Sequence, residues 1–265
     1  MDDRPIGIFD SGIGGLTVFS EIIKALPSEN IIYLGDTKQF PYGNKSKKTI
    51  IDITKENINF LIKKNVKLIV IACGTATSQA LEEVKDKYNI PIIGIIKPTV
   101  MYLAKEKNIR KIGIMATAGT IRSNSWEKEI KKLMPNAKVI NKACPLLAPM
   151  VEEGWTDNEI ARLVIKEYVK VFKEETVDSL ILGCTHYPLL KNLIQEELGN
   201  KVKIIDTGKQ VGKFLEELLH KEKINGEPKN IPNYKFYLTE IEEGFIKVAN
   251  NLIPNTIDNI NFSKK

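Results

Sequence analysis

Three cysteines pose the first chemical question. Cys73, Cys144 and Cys184 lie far apart with no CxxC pair among them, a spacing that suits neither a zinc site nor a disulfide framework. Cys73 and Cys184 share a context: each ends an apolar run, Ile69-Val70-Ile71-Ala72 and Leu180-Ile181-Leu182-Gly183, and each has a threonine within the next two residues. In open α/β sheets ligands bind beyond the carboxyl ends of strands, and a helix opening there favours anions and lowers a thiol's pKa. A single cysteine after a strand more often packs than reacts, and Cys144, beside Pro145 and off this pattern, is read as packing. Two cysteines at matching places, one of them two residues before His186, point instead to chemistry. An imidazole there can help move protons near neutral pH. The other histidine, His220, sits among lysines and reads as surface.

Further candidates surround these. Asp10-Ser11-Gly12-Ile13-Gly14-Gly15 follows a strand and opens a helix, but Thr17 stands where a G-x-G-x-x-G nucleotide fingerprint needs its third glycine. The glycines let backbone N–H groups approach a small anion, while Asp10 can bind an ammonium, orient a thiol or simply cap the turn. Asp36-Thr37 and Pro41-Tyr42-Gly43 follow the next strand on the same sheet edge, where alone they are ordinary turn residues. Glu152, after the Cys144-Pro145 loop, is either a supporting or a surface carboxylate.

The elements that must position these residues alternate. Strands are expected at Pro5–Phe9, Ile31–Leu34, Lys67–Ala72, Ile92–Ile96, Lys111–Met115, Lys138–Ile140, Ser179–Gly183, Lys203–Ile205 and Lys235–Leu238. Helices are expected at Gly14–Leu26, Ser46–Lys64, Thr75–Tyr88, Ile121–Leu133, Thr156–Glu174 and Tyr187–Leu198. Continuously apolar strands alternating with amphipathic helices predict an α/β fold of mainly parallel sheets. Ile6-Gly7-Ile8-Phe9-Asp10-Ser11-Gly12 is echoed by Ile112-Gly113-Ile114-Met115-Ala116-Thr117-Ala118, and each stretch is followed about seventy residues on by a strand ending in cysteine. Two pseudo-symmetric α/β domains explain the echo and would set Cys73 and Cys184 face to face in a cleft between them. The boundary is expected at Lys97-Pro98, where proline ends a strand. Residues 1–97 with 207–265 then form one domain, the tail returning to complete it, and 98–206 form the second.

Composition narrows the class. Of 39 basic residues only four are arginines, against 33 acidic residues, so the net charge of +6 reads as solvated lysine-rich helix faces and no nucleic-acid partner is expected. Apolar runs are strand-length, too short for a bilayer, and no signal pattern opens the chain, so a cytoplasmic protein without membrane contact is expected.

Together these residues resemble the glutamate racemase family of bacterial cell-wall synthesis. The match runs through Gly7–Thr17, Tyr33-Leu34-Gly35-Asp36-Thr37, Pro41-Tyr42-Gly43, Ala72–Ala76, Cys144-Pro145-Leu146 with Glu152, and Leu182-Gly183-Cys184-Thr185-His186-Tyr187-Pro188-Leu189-Leu190, with Asp206-Thr207-Gly208 beyond. The resemblance implies two α/β domains around a cleft, a homodimer, and L/D-glutamate interconversion with no cofactor and no metal, supplying D-glutamate for peptidoglycan. It implies that Cys73 deprotonates D-glutamate and Cys184 L-glutamate, with Asp10 and His186 assisting. Asp10, Ser11, Tyr42, Gly43, Gly74, Thr75, Thr185 and His186 would bind substrate, and Asp36 and Glu152 would support the site. Two positions depart: Gly74 stands where the family commonly has asparagine, and Lys97-Pro98-Thr99 where Pro-Gly is frequent. At Gly74 a side-chain amide is lost and only the backbone N–H can donate.

Other readings stay open on sequence. An aspartate racemase would use the same paired thiols. A thiol hydrolase on Cys184 and His186 would leave Cys73 idle. Lysine abundance leaves pyridoxal phosphate open, which an absorbance spectrum would decide.

Overall fold

The computed structural model of the chain describes residues 1–227, 231–240, 243–253 and 261–264; residues 228–230, 241–242, 254–260 and 265 of the expected tail lie outside the described residues. In chain order the first half contains β1 (Ile6–Asp10), α1 (Gly15–Ala25), β2 (Ile31–Gly35), α2 (Lys47–Lys63), β3 (Leu68–Ile71), α3 (Gly74–Val84), β4 (Ile92–Gly94) and α4 (Ile96–Ala104). There follow β5 (Lys111–Ala116), α5 (Ala118–Ser123), α6 (Ser125–Leu133), β6 (Lys138–Ala143), α7 (Leu147–Glu152), α8 (Glu159–Glu174), β7 (Ser179–Leu182), α9 (Lys191–Leu198) and β8 (Lys203–Ile205). Last come α10 (Thr207–Glu222), β9 (Tyr234–Leu238), α11 (Glu243–Leu252) and β10 (Asn261–Lys264).

All nine expected strands form, and every pairing among the described residues is parallel. One sheet has the order β10-β9-β2-β1-β3-β4, the other β6-β5-β7-β8. Helices cover both faces of the first sheet, which is why its central strands β1, β2 and β3 are buried at every position. Ile6, Ile8 and Val70 pack into one core, Phe9, Ile69 and Ile71 into the other, by the period-two alternation of a strand. Each fully buried aliphatic side chain of this kind contributes roughly 1.5–3 kcal/mol.

The chain passes between the sheets twice, through α4 and through α10, and these two helices pack against each other. The tail strand β9 pairs with β2 from Ile31↔Tyr234 to Gly35↔Leu238. Its approach is tied down at Lys67, whose buried Nζ pairs with Glu29 at 2.6 Å and donates to the Asp2 and Ile224 carbonyls.

Several local expectations are corrected. Pro98 does not end a strand: it lies in the first turn of α4, where its missing N–H leaves no helical bond unmade. The helix expected over Ile121–Leu133 is broken at Asn124, whose φ of 57° separates α5 from α6. Tyr187–Leu190 winds as a 3-10 turn before α9 begins. The short helices α4 and α7 and the strand β10 were not anticipated. Among the described residues no helix is long and apolar enough to cross a membrane.

Candidate active site

Cys73 and Cys184 follow β3 and β7, and both line one cavity between the two sheets together with Ser11, Tyr42, Gly43, Gly74, Thr75, Thr185 and His186. Both thiols are buried. The cavity measures about 40 Å³, room for about three waters.

Asp10 ends β1, wholly buried beneath the cavity. One oxygen of its carboxylate accepts from the Gly12 and Gly15 N–H groups at 3.1 Å each, and the other accepts from the Thr185 hydroxyl at 3.1 Å, a bond between the two halves. Burial raises its carboxyl to about 6, against the opposing pull of His186 and these donors.

The surroundings of the two thiols differ. Cys73 caps α3 without a side-chain hydrogen bond to the helix; burial pushes the thiol well above its ordinary range, Asp10 and Cys184 add to this, and the nearby Ala76 N–H and Ser11 hydroxyl pull the other way. The expectation that the helix N-terminus would lower this pKa is overturned, because desolvation of the thiolate outweighs the local donors. Cys184 is not at an α-helix N-terminus at all, since a turn and the 3-10 segment follow it. Its Sγ lies 3.7 Å from His186 Nδ1, and His186 Nε2 meets Glu152 at 2.6 Å. Burial opposes the imidazolium, but Cys184 and Glu152 outweigh it and carry the His186 pKa to about 10. Phe40 from the other half packs on the ring, centroids 5.3 Å apart.

Tyr42 is placed by a buried row in which its hydroxyl donates to Asp36 at 2.5 Å and accepts from Asn57 at 3.2 Å. Asp36 therefore reaches the site only through Tyr42. Gly43 allows close approach to Thr117, and Thr75 and Thr117 join hydroxyls at 2.8 Å across the cleft. Cys144 is fully buried beside Tyr187, whose hydroxyl donates to its carbonyl at 2.7 Å.

Residues 6–211 match the Asp/Glu/Hydantoin racemase family. The chain belongs to this family. A glutamate racemase of Geobacter metallireducens is 41% identical over 260 residues, 98% of this chain and 96% of the relative. The crystal structure of a glutamate racemase from Francisella tularensis in complex with D-glutamate superposes with a TM-score of 0.90 at 38% identity, covering 100% of this chain and 97% of that one. A glutamate racemase isoform from Bacillus anthracis gives 0.94 at 36%, covering 100% and 98%.

Within this racemase family architecture, several lining positions escaped the sequence reading: Phe40 and Asn44, Thr117 with Ala118, which open α5, and Ala148 with Pro149 in α7. Thr117 had a signal. The repeat aligns it with Ser11, and the strand registers agree, Gly7↔Ile69 matching Gly113↔Leu180. The second helix N-terminus at the cavity is thus that of α5, not one following Cys184.

Proposed function

We propose that this chain interconverts L- and D-glutamate without a cofactor, using Cys73 and Cys184 as opposed acid/base thiols. The observation that carries the reading is that both sulfurs line one small cavity from strand ends of different sheets. Inverting an α-carbon needs a base on one face and an acid on the other. One thiol, ionised, takes the Cα proton while the other gives one from the opposite side, and the roles exchange in the reverse direction. The transient negative charge at Cα and the carboxylate calls for preorganised donors, which the N–H groups opening α3 and α5 and the hydroxyls of Thr75, Thr117 and Thr185 supply. His186, braced by Glu152, serves the Cys184 proton, and Asp10 orients Thr185 and the Gly12 turn. Full-length similarity to glutamate racemases supports glutamate over aspartate as substrate.

The Cys184–His186–Glu152 row also suits a thiol hydrolase, but that reading leaves Cys73 without a task. We further read the protein as a cytoplasmic homodimer of two α/β domains, 1–97 with 207–265 and 98–206, feeding D-glutamate to peptidoglycan synthesis. Circular dichroism of the pure protein with each enantiomer of glutamate and aspartate tests the substrate. Glutamate should lose its signal from either side faster than aspartate; faster loss with aspartate would overturn the assignment, and inertness towards all four would remove the racemase reading. Sedimentation of the same sample checks the dimer.

A further inference from the structure

Gly74 opens α3 one residue after Cys73, and Gly183 lies one residue before Cys184. A Cβ added to Gly74 would land on the Gly183 carbonyl oxygen, far inside van der Waals contact. The obstructing atom is backbone, so no rotamer change relieves the overlap; only separating the two loops does. Both loops are held in place. Behind Gly183, the Ala116 Cβ, the Met115 carbonyl and Trp126 Nε1 each stand 3.1 Å from where its own Cβ would lie, and its N–H is held by Met115 at 2.8 Å. On the opposite side Thr77 ties down the start of α3, its N–H to the Cys73 carbonyl and its hydroxyl to the Ile71 carbonyl, both at 2.9 Å.

We propose that Gly74 is the positioning residue that sets the span between the two thiols. Bare of a side chain, it lets the two cysteine turns meet backbone to backbone, and any side chain at 74 wedges the closed cleft apart. The inference rests on the two-thiol reading and changes the meaning of the departure from the family at this position. An asparagine here does not merely restore an amide, because the closed cleft has no space for its Cβ.

Racemization needs both sulfurs at proton-transfer distance from one Cα, so it feels the span directly. Elimination from β-chloroalanine needs one sulfur only. A thiolate takes the Cα proton, the C–Cl bond breaks with its electron pair leaving as chloride, and the released aminoacrylate hydrolyses to pyruvate and ammonia. The two reactions therefore separate a wedge from general damage.

The experiment measures both on wild type, Gly74→Ala and Gly74→Asn. A displacement near 1 Å costs about a hundredfold, so Gly74→Ala should racemize glutamate about a hundredfold more slowly, with kcat falling more than KM. Elimination from both β-chloroalanine enantiomers should fall far less than racemization, and Gly74→Asn should be no faster than Gly74→Ala. Undiminished racemization by Gly74→Ala, a faster Gly74→Asn, or elimination falling in step with racemization would each overturn the proposal. A wild type that eliminates but does not racemize would instead overturn the two-thiol reading itself.

Discussion

Beside Cys184 stands an imidazole at 3.7 Å, braced by a carboxylate; beside Cys73 there are the Ser11 hydroxyl and the field of Asp10, and no imidazole among the described residues. Yet the scaffolds beneath them agree: Ile6↔Leu68 and Ile112↔Ser179 are equivalent pairs, and Ser11 and Thr117 hold equivalent posts. A repeated backbone thus carries two different proton environments. The difference cannot favour one enantiomer at equilibrium, because mirror-image amino acids have equal free energy in water. On the two-thiol reading it decides only how each thiol is helped through its own proton transfer, so in any variant kcat/KM must fall equally in both directions. Reactions that use one thiol at a time are where the asymmetry becomes visible.

The largest effect should come from removing either thiol. Cys73→Ser and Cys184→Ser should each slow racemization in both directions by about a thousandfold or more, the scale of a positioned acid or base. Cys73→Ser should still eliminate chloride from L-β-chloroalanine, and Cys184→Ser from the D-isomer. If both mutants lose both enantiomers alike, the assignment of thiols to faces is wrong. Cys144→Ala serves as the control and should racemize normally, since that sulfur is buried outside the cavity lining and donates only to the Lys142 carbonyl.

A smaller effect should expose the asymmetry itself. His186→Gln should lower racemization by about a hundredfold, equally in both directions. Elimination from the L-isomer, where Cys184 is the base, should drop, while elimination from the D-isomer persists. Equal loss for both isomers would mean that His186 serves the two thiols jointly.

The smallest effect concerns stability. Asp10 has its pKa raised from 3.8 to about 6 by burial, so its contribution is fullest below 3.8 and is lost as the pH rises through 6. The asparagine of Asp10→Asn can keep the Gly12 and Gly15 bonds through its oxygen and meet Thr185 through its amide. At pH 8 this variant should be more stable than wild type, by up to about 3 kcal/mol for two pK units, and the gain should vanish by about pH 4. Denaturant melts across that range read the difference, and a gain independent of pH would rule out the buried charge as its source.

Much of this was legible along the chain. Period-two and helical patterns placed nine strands, and the shared context of Cys73 and Cys184 singled out two thiols from three. Asp10, Tyr42 and His186 stood out because their loops follow strands. Pro98 misled, since a proline reads as a stop whether it follows a strand or sits in a helix's first turn. Cys184 misled too, because a 3-10 turn and an α-helix share the same opening residues.

The sequence by itself determined which residues could exchange protons and that two similar units carry them, because side-chain chemistry and strand periodicity are local properties. Tertiary structure alone decided the Thr185–Asp10 bond, the His186–Glu152 pair, the entry of Thr117 into the site, and the contact that Gly74 permits with Gly183. It also decided the state of Cys73. A helix N-terminus is visible in sequence, but the desolvation that overrides it comes from residues far apart in the chain closing over one sulfur.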